Sequence, residues 1–243
     1  MVGPDVTPED GVTRYQHDHT QGPACAIAAG AATIYRNYFA PIGGEAGQTA
    51  KRQLDGLADL GAALSTALSC SVAELWQMKN GYALCTPAGL KRIGNYLLGL
   101  DVNALNLLRG KLRIGLHSDV EVTDTDQSKP TAASQAFCSA LPVAYSNVPA
   151  ASWAPFARFV LEAAYEATVL SGFLNAARGR SNRVLLTSVG GGAFGNHESW
   201  INDAIIRALE LAKNTNFNIS LVSFGSPSPG FLKIARKFAS SDA

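Results

Sequence analysis

Three groups of residues in this chain have types and spacing suited to chemistry. The first is Gly190-Gly191-Gly192-Ala193-Phe194-Gly195-Asn196, a run of glycine and small residues behind an apolar stretch. Glycine reaches backbone conformations that a side chain forbids. Such a turn brings unpaired N–H groups and a positive helix end to one point, where a phosphate is favourable. A tight turn that binds nothing is the plainer alternative. The second group is the acid-rich segment with Glu9, Asp10 and Asp18, flanked by His17 and His19. Carboxylates orient water and hold cations, although such composition is ordinarily a solvated surface. Alternate histidines on a loop seldom converge on a metal without a third ligand, so no metal is expected. The third is Cys25, near a predicted helix start that would favour its thiolate; a small packed residue is the plainer reading. His117, Asp119 and Glu121 share a strand face by alternation, which is best read as solvated.

The elements that must position these groups follow from periodicity. Arg183 to Val189 is a short apolar run that reads as a strand covered on both faces. Ser199 to Lys213 is helical, with Trp200, Ile201, Ala204, Ile205, Ala208 and Leu209 on one face. Phe217 to Phe224 reads as a strand and Phe231 to Ala239 as a last helix. Upstream, Gln135 to Tyr145 reads as a strand and Trp153 to Leu174 as a long helix. The order strand, helix, strand, helix, strand implies parallel strands with right-handed crossovers. The first 110 or so residues are α-rich, with helices expected over Pro23 to Tyr38, Gln48 to Leu68, Val72 to Met78 and Pro87 to Gly99. Strands are expected at Leu112 to Leu116 and Val120 to Val122. Without repeats or a low-complexity linker, residues 1–243 read as one domain.

Composition narrows the classes. Hydrophobic residues make up 47% and charged residues 16%, which suits a sizeable core. A net charge of +1 argues against a dedicated nucleic-acid or membrane-surface protein. No apolar run reaches the length of a membrane span, and the first residues lack a signal-peptide pattern. Cys25, Cys70, Cys85 and Cys138 show no paired metal spacing and suggest no disulfide framework. A cytoplasmic setting is therefore expected. Gly190, Gly192 and Gly195 formally fit a dinucleotide fingerprint, but no Asp or Glu follows the strand Phe217 to Phe224. A P-loop needs Lys and Ser/Thr after its glycines, where this chain has Asn196-His197.

Three stretches together carry a resemblance: Val6 to Gly30 (VTPEDGVTRYQHDHTQGPACAIAAG), Gln135 to Ser146 (QAFCSALPVAYS) and Leu185 to Asn196 (LLTSVGGGAFGN). The chain resembles the macrodomain family, and within it the MavL-like class of arginine-specific (ADP-ribosyl)hydrolases. The resemblance implies a three-layer α/β/α sandwich with a mixed sheet, here with an α-rich N-terminal half. It implies that backbone N–H groups of Gly191 to Gly195, with Gly190 and Asn196 at the ends of the loop, hold the diphosphate of ADP-ribose. Phe194 would lie against the distal ribose and Phe224 near the adenine. Thr20, Gln21, Gly22, Ala24 and Cys25 would form the first phosphate loop, and Asp10 and Asp18 would be catalytic. The implied substrate is a mono-ADP-ribosylated protein, with no cofactor and no metal. A non-catalytic ADP-ribose reader and a thiol hydrolase using Cys25 are the rival expectations.

Overall fold

A computed structural model describes residues 3–16, 27–123 and 131–239. Two 3-10 turns, Pro8–Asp10 and Val12–Tyr15, precede α1 (Gly30–Tyr38). The small hairpin β1 (Pro41–Ile42) and β2 (Glu45–Ala46) leads to α2 (Ala58–Leu68), α3 (Val72–Leu75), β3 (Trp76–Lys79) and β4 (Tyr82–Cys85). Then come α4 (Pro87–Leu98), α5 (Val102–Arg109), β5 (Gly115–Val122) and β6 (Thr131–Phe137). The C-terminal part is α6 (Ala150–Ala177), β7 (Arg183–Thr187), α7 (Glu198–Ala212), β8 (Asn218–Val222) and α8 (Pro229–Phe238). The fold is mixed α/β.

Several local signals act as the residues dictate. The Thr86 side chain accepts the Gly89 N–H at 2.9 Å and Pro87 opens α4, a start in which one first-turn donor is capped and the proline carries none. Asp101 caps α5 in the same way, accepting from Ala104 N at 2.8 Å. The helix expected from Gln48 begins ten residues late, at Ala58. This stretch bonds outside a helix: Thr49 and Arg52 pair with each other, Glu9 takes the Ala50 N–H, and the Asp55 carboxylate accepts the Leu57 N–H at 2.8 Å. The helix expected to reach Met78 stops at Leu75, because Trp76–Lys79 pairs antiparallel with Tyr82–Cys85. Asn80 (φ 46) and Gly81 (φ 82) make that hairpin turn, and Asn-Gly is the sequence signal for it.

The parallel arrangement expected at the C-terminal end is present. β7 pairs with β8 in parallel, from Arg183 opposite Asn218 to Thr187 opposite Val222, with α7 as the crossover. Ile201, Ala204, Ile205 and Ala208 are fully buried on the face the spacing predicts. The strand expected over Gln135 to Tyr145 is shorter. It ends at Phe137, and Val143–Tyr145 is a 3-10 turn. β6 pairs antiparallel with β5, so the described strands form four separate two-stranded ladders. The expected two-sided burial of β7 also differs. Val184 and Leu186 are buried against the helices, while Leu185 on the opposite face is 59% exposed. An unbroken apolar run does not reveal which faces find a partner. One cluster of buried side chains runs from Leu57 through α4, α6 and α7 to Ile234 of α8.

Candidate functional site

The glycine loop follows β7 directly and is built from both ends. At its entry the Tyr165 hydroxyl, reaching over from α6, donates to Thr187 O at 2.5 Å and accepts from Val189 N at 2.9 Å. Gly190 has φ 76, and a Cβ there would sit 2.3 Å from the Ala140 Cβ. Both facts require glycine. At the exit, Asn196 N donates to Gly190 O at 2.9 Å and Asn196 Nδ2 donates to Leu141 O at 2.8 Å. Ala144 N donates to Phe194 O at 3.0 Å. The loop is thereby stitched to the segment that follows β6.

Not every amide in the loop is available to a ligand. Gly191 N is engaged by Ser188 O at 3.2 Å and Gly195 N by Gly192 O at 2.9 Å. Among the described residues, the N–H groups of Gly192, Ala193 and Phe194 make no hydrogen bond. Adjacent amides without a protein partner are the kind of donor set an anion can use. The start of α7 contributes less than the sequence promises. His197 Nδ1 accepts the Ser199 N–H at 3.2 Å, and Glu198 adds a negative charge to the first turn. Asn196 is 4% exposed, and its Nδ2 holds the loop shape through Leu141 O and Gly190 O.

The loop forms one wall of a cavity of about 2010 Å3. Gly190 to Phe194 line it together with Tyr82, Tyr145, Ala140, Leu141, and Thr7, Pro8, Gly11 and Val12 of the N-terminal turns. The glycine loop and the N-terminal turns thus border the same broad, open space. Phe194 rests on aromatic neighbours, with its ring centroid 5.2 Å from that of Tyr82 and 5.6 Å from that of Tyr145. Phe224 lies beyond the end of β8 and is 97% exposed.

The acidic segment is already engaged in local structure. Asp10 Oδ2 accepts Thr7 N at 2.8 Å and the Thr7 hydroxyl at 3.3 Å, and Arg14 stands 3.8 Å from its other oxygen. The Thr7 backbone N–H holds the Asp10 carboxyl below the usual carboxylate range. Both Glu9 oxygens accept Ala50 N, at 2.9 and 3.0 Å, and that bond lowers the Glu9 carboxyl likewise. Asp18, Thr20, Gln21, Gly22, Ala24 and Cys25 lie outside the described residues, as do His17 and His19.

The strand-face trio does not assemble. A register shift between His117 and Val120 breaks the alternation, and Asp119 takes φ 57. Its carboxylate pairs with Arg178 at 2.6 Å and Arg180 at 3.2 Å, while His117 packs edge-on against Tyr35. Burial pushes the Cys85 thiol up to about 12 and raises Cys138 as well, so neither is a thiolate near neutrality. Among the described residues no group of three or more His, Cys, Asp or Glu is placed to hold a metal. No described helix is long and apolar enough to cross a membrane.

Sequence reasoning missed Tyr82, Tyr145 and Tyr165. Only Tyr82 had a usable signal, because the Asn80-Gly81 turn fixes the register that buries it. No protein-family model, curated protein or solved structure matches this chain.

Proposed function

We propose that the chain is a macrodomain-like (ADP-ribosyl)hydrolase that removes mono-ADP-ribose from arginine side chains of a protein substrate, in a cytoplasmic setting. One observation carries this: three adjacent unpaired amides, Gly192 to Phe194, on the wall of a cavity that also reaches the N-terminal turns. The diphosphate would lie against those amides. The three-layer sandwich is part of the same proposal; the parallel pair β7–β8, with helices packed on its Val184 and Leu186 face, supports one helical layer of it.

The chemistry is cleavage of a C–N glycosidic bond. Water adds to the ribose anomeric carbon as the arginine nitrogen leaves, and a proton passes from that water to the departing group. The transition state resembles an oxocarbenium ion, so a nearby carboxylate lowers its energy. Asp18 and Asp10 are the residues proposed for that role. The test is incubation with arginine-, serine- and glutamate-linked ADP-ribosyl peptides, following release of ADP-ribose. Release from the arginine linkage alone is expected; no release from any of the three rejects the hydrolase.

A second reading is an ADP-ribose reader without turnover. It is favoured by the engagement of the Asp10 and Glu9 carboxylates with backbone N–H groups. Under it, calorimetry detects ADP-ribose binding while every linked peptide stays intact.

A further inference from the structure

We propose that Tyr165 is a positioning residue for the phosphate-binding loop, setting its aim through a single hydroxyl. This rests on the reading of Gly192 to Phe194 as that loop. β7 gives out at Thr187, the last residue in register with β8. Beyond it the chain turns sharply, with the Val189 N–H donating back to the Thr187 carbonyl at 3.0 Å. The Tyr165 hydroxyl braces both sides of that turn, donating to the carbonyl at 2.5 Å and accepting from the amide at 2.9 Å. A phenol carries one donor and acceptor lone pairs, so it can serve both groups at once.

The ring that carries this hydroxyl is itself fixed. Tyr165 is 2% exposed within the core cluster of α6. Burial pushes the phenol well above its ordinary value, so it stays neutral and keeps its donor at any pH the protein meets. The two residues it clamps flank Ser188, whose carbonyl takes the Gly191 N–H. Three positions beyond Val189 the run of adjacent unpaired amides, Gly192 to Phe194, begins. At the far end Asn196 ties Gly190 to Leu141. The loop is therefore fastened at both ends by buried side chains, and its free amides lie between. Donors held in place before the ligand arrives bind it without a further ordering cost.

The test uses Tyr165→Phe, which keeps the ring and removes the hydroxyl. Three quantities are read: melting temperature, ADP-ribose affinity by calorimetry, and residue-resolved amide exchange. Expected are a folded protein, an affinity lowered about tenfold, and faster exchange from Val189 to Phe194 with α7 unchanged. Unchanged loop exchange in the folded variant overturns the proposal, as does acceleration spread evenly over the chain. If the wild-type protein binds no ADP-ribose, the functional reading fails while the exchange measurement still decides the role of Tyr165. Wild-type exchange gives a check that needs no variant. Val189 should be protected and Gly192 to Phe194 should not; Val189 exchanging as fast as Gly192 also overturns the proposal.

Discussion

The rings of Phe194 and Tyr82 lie with centroids 5.2 Å apart, tilted 50° to each other, and Tyr145 closes the triangle. Tilted aromatic pairs at this spacing add attraction beyond the area they bury. Phe194 therefore anchors the loop to β4 and to the turn after β6, while lining the cavity with both tyrosines. The macrodomain resemblance implies a ring against the distal ribose; the structure gives Phe194 a packing duty. Phe194→Ala should lower stability, by less than the roughly 3–5 kcal/mol of a fully buried phenylalanine, and weaken ADP-ribose binding. Paired melting and calorimetry separate the two effects. A melting loss with unchanged affinity would assign Phe194 to the core alone.

Gly192 and Gly190 should respond oppositely to a side chain. A Cβ on Gly192 meets nothing within 4 Å, whereas one on Gly190 meets Ala140 at 2.3 Å under a φ of 76. Gly192→Val should keep the melting temperature and cost more than about tenfold in ADP-ribose affinity. Gly190→Ala should destabilise the fold, because the left-handed conformation alone costs about 1–2 kcal/mol without glycine. A folded Gly192→Val protein binding ADP-ribose normally would remove these amides from the site.

Low pH should loosen the N-terminal turns. The carboxyls of Asp10 and Glu9 are held below their ordinary values by bonds from Thr7 N and Ala50 N. A depressed carboxyl stabilises the folded form above its unfolded value and loses that contribution as pH falls through the folded one. The turns should hold above about pH 5 and weaken progressively below about pH 4. Amide exchange or limited proteolysis of residues 3–16 across pH 3 to 7 would detect this. Both groups are exposed, so global stability should change little. Protection of that segment independent of pH would contradict the assignment.

The parts of the fold that were legible are those with a local cause. Thr86-Pro87 starts α4 as written, and the Trp200, Ile201, Ala204, Ile205 face of α7 is buried as spaced. What escaped depends partly on partners distant in the chain and partly on local hydrogen bonds that residue types alone do not specify. Leu185 sits in an apolar run but is exposed, because burial is decided by what covers a strand rather than by its own residues. Asp10 looks like a free carboxylate in sequence, yet Thr7 three residues earlier claims it. Tyr165 is an unremarkable helix residue until β7 is laid beside it. The glycine run was legible as a loop, but which of its amides remain open was not. That depends on the Ser188, Gly190 and Gly192 carbonyls, which take up neighbouring N–H groups.

The two acidic positions should separate in their effect on arginine-linked turnover. A guanidinium leaving group is planar, cationic and rich in donors, so a carboxylate is its natural partner. Asp10 spends one oxygen on Thr7 and has Arg14 3.8 Å from the other. Its charge is thus partly answered before any substrate arrives. Asparagine keeps an acceptor for Thr7 N, so Asp10→Asn should preserve the turn and lower the rate modestly. Asp18→Asn should lower it by orders of magnitude if that carboxylate stabilises the transition state. Both variants should still bind ADP-ribose, because the proposed binding rests on the amides of Gly192 to Phe194. Single-turnover release from an arginine-linked peptide, with calorimetry on the same preparations, measures both quantities. Equal and severe loss in both variants would make Asp10 a partner in the chemistry despite its bond to Thr7. Full activity in both would remove the acidic segment from the mechanism.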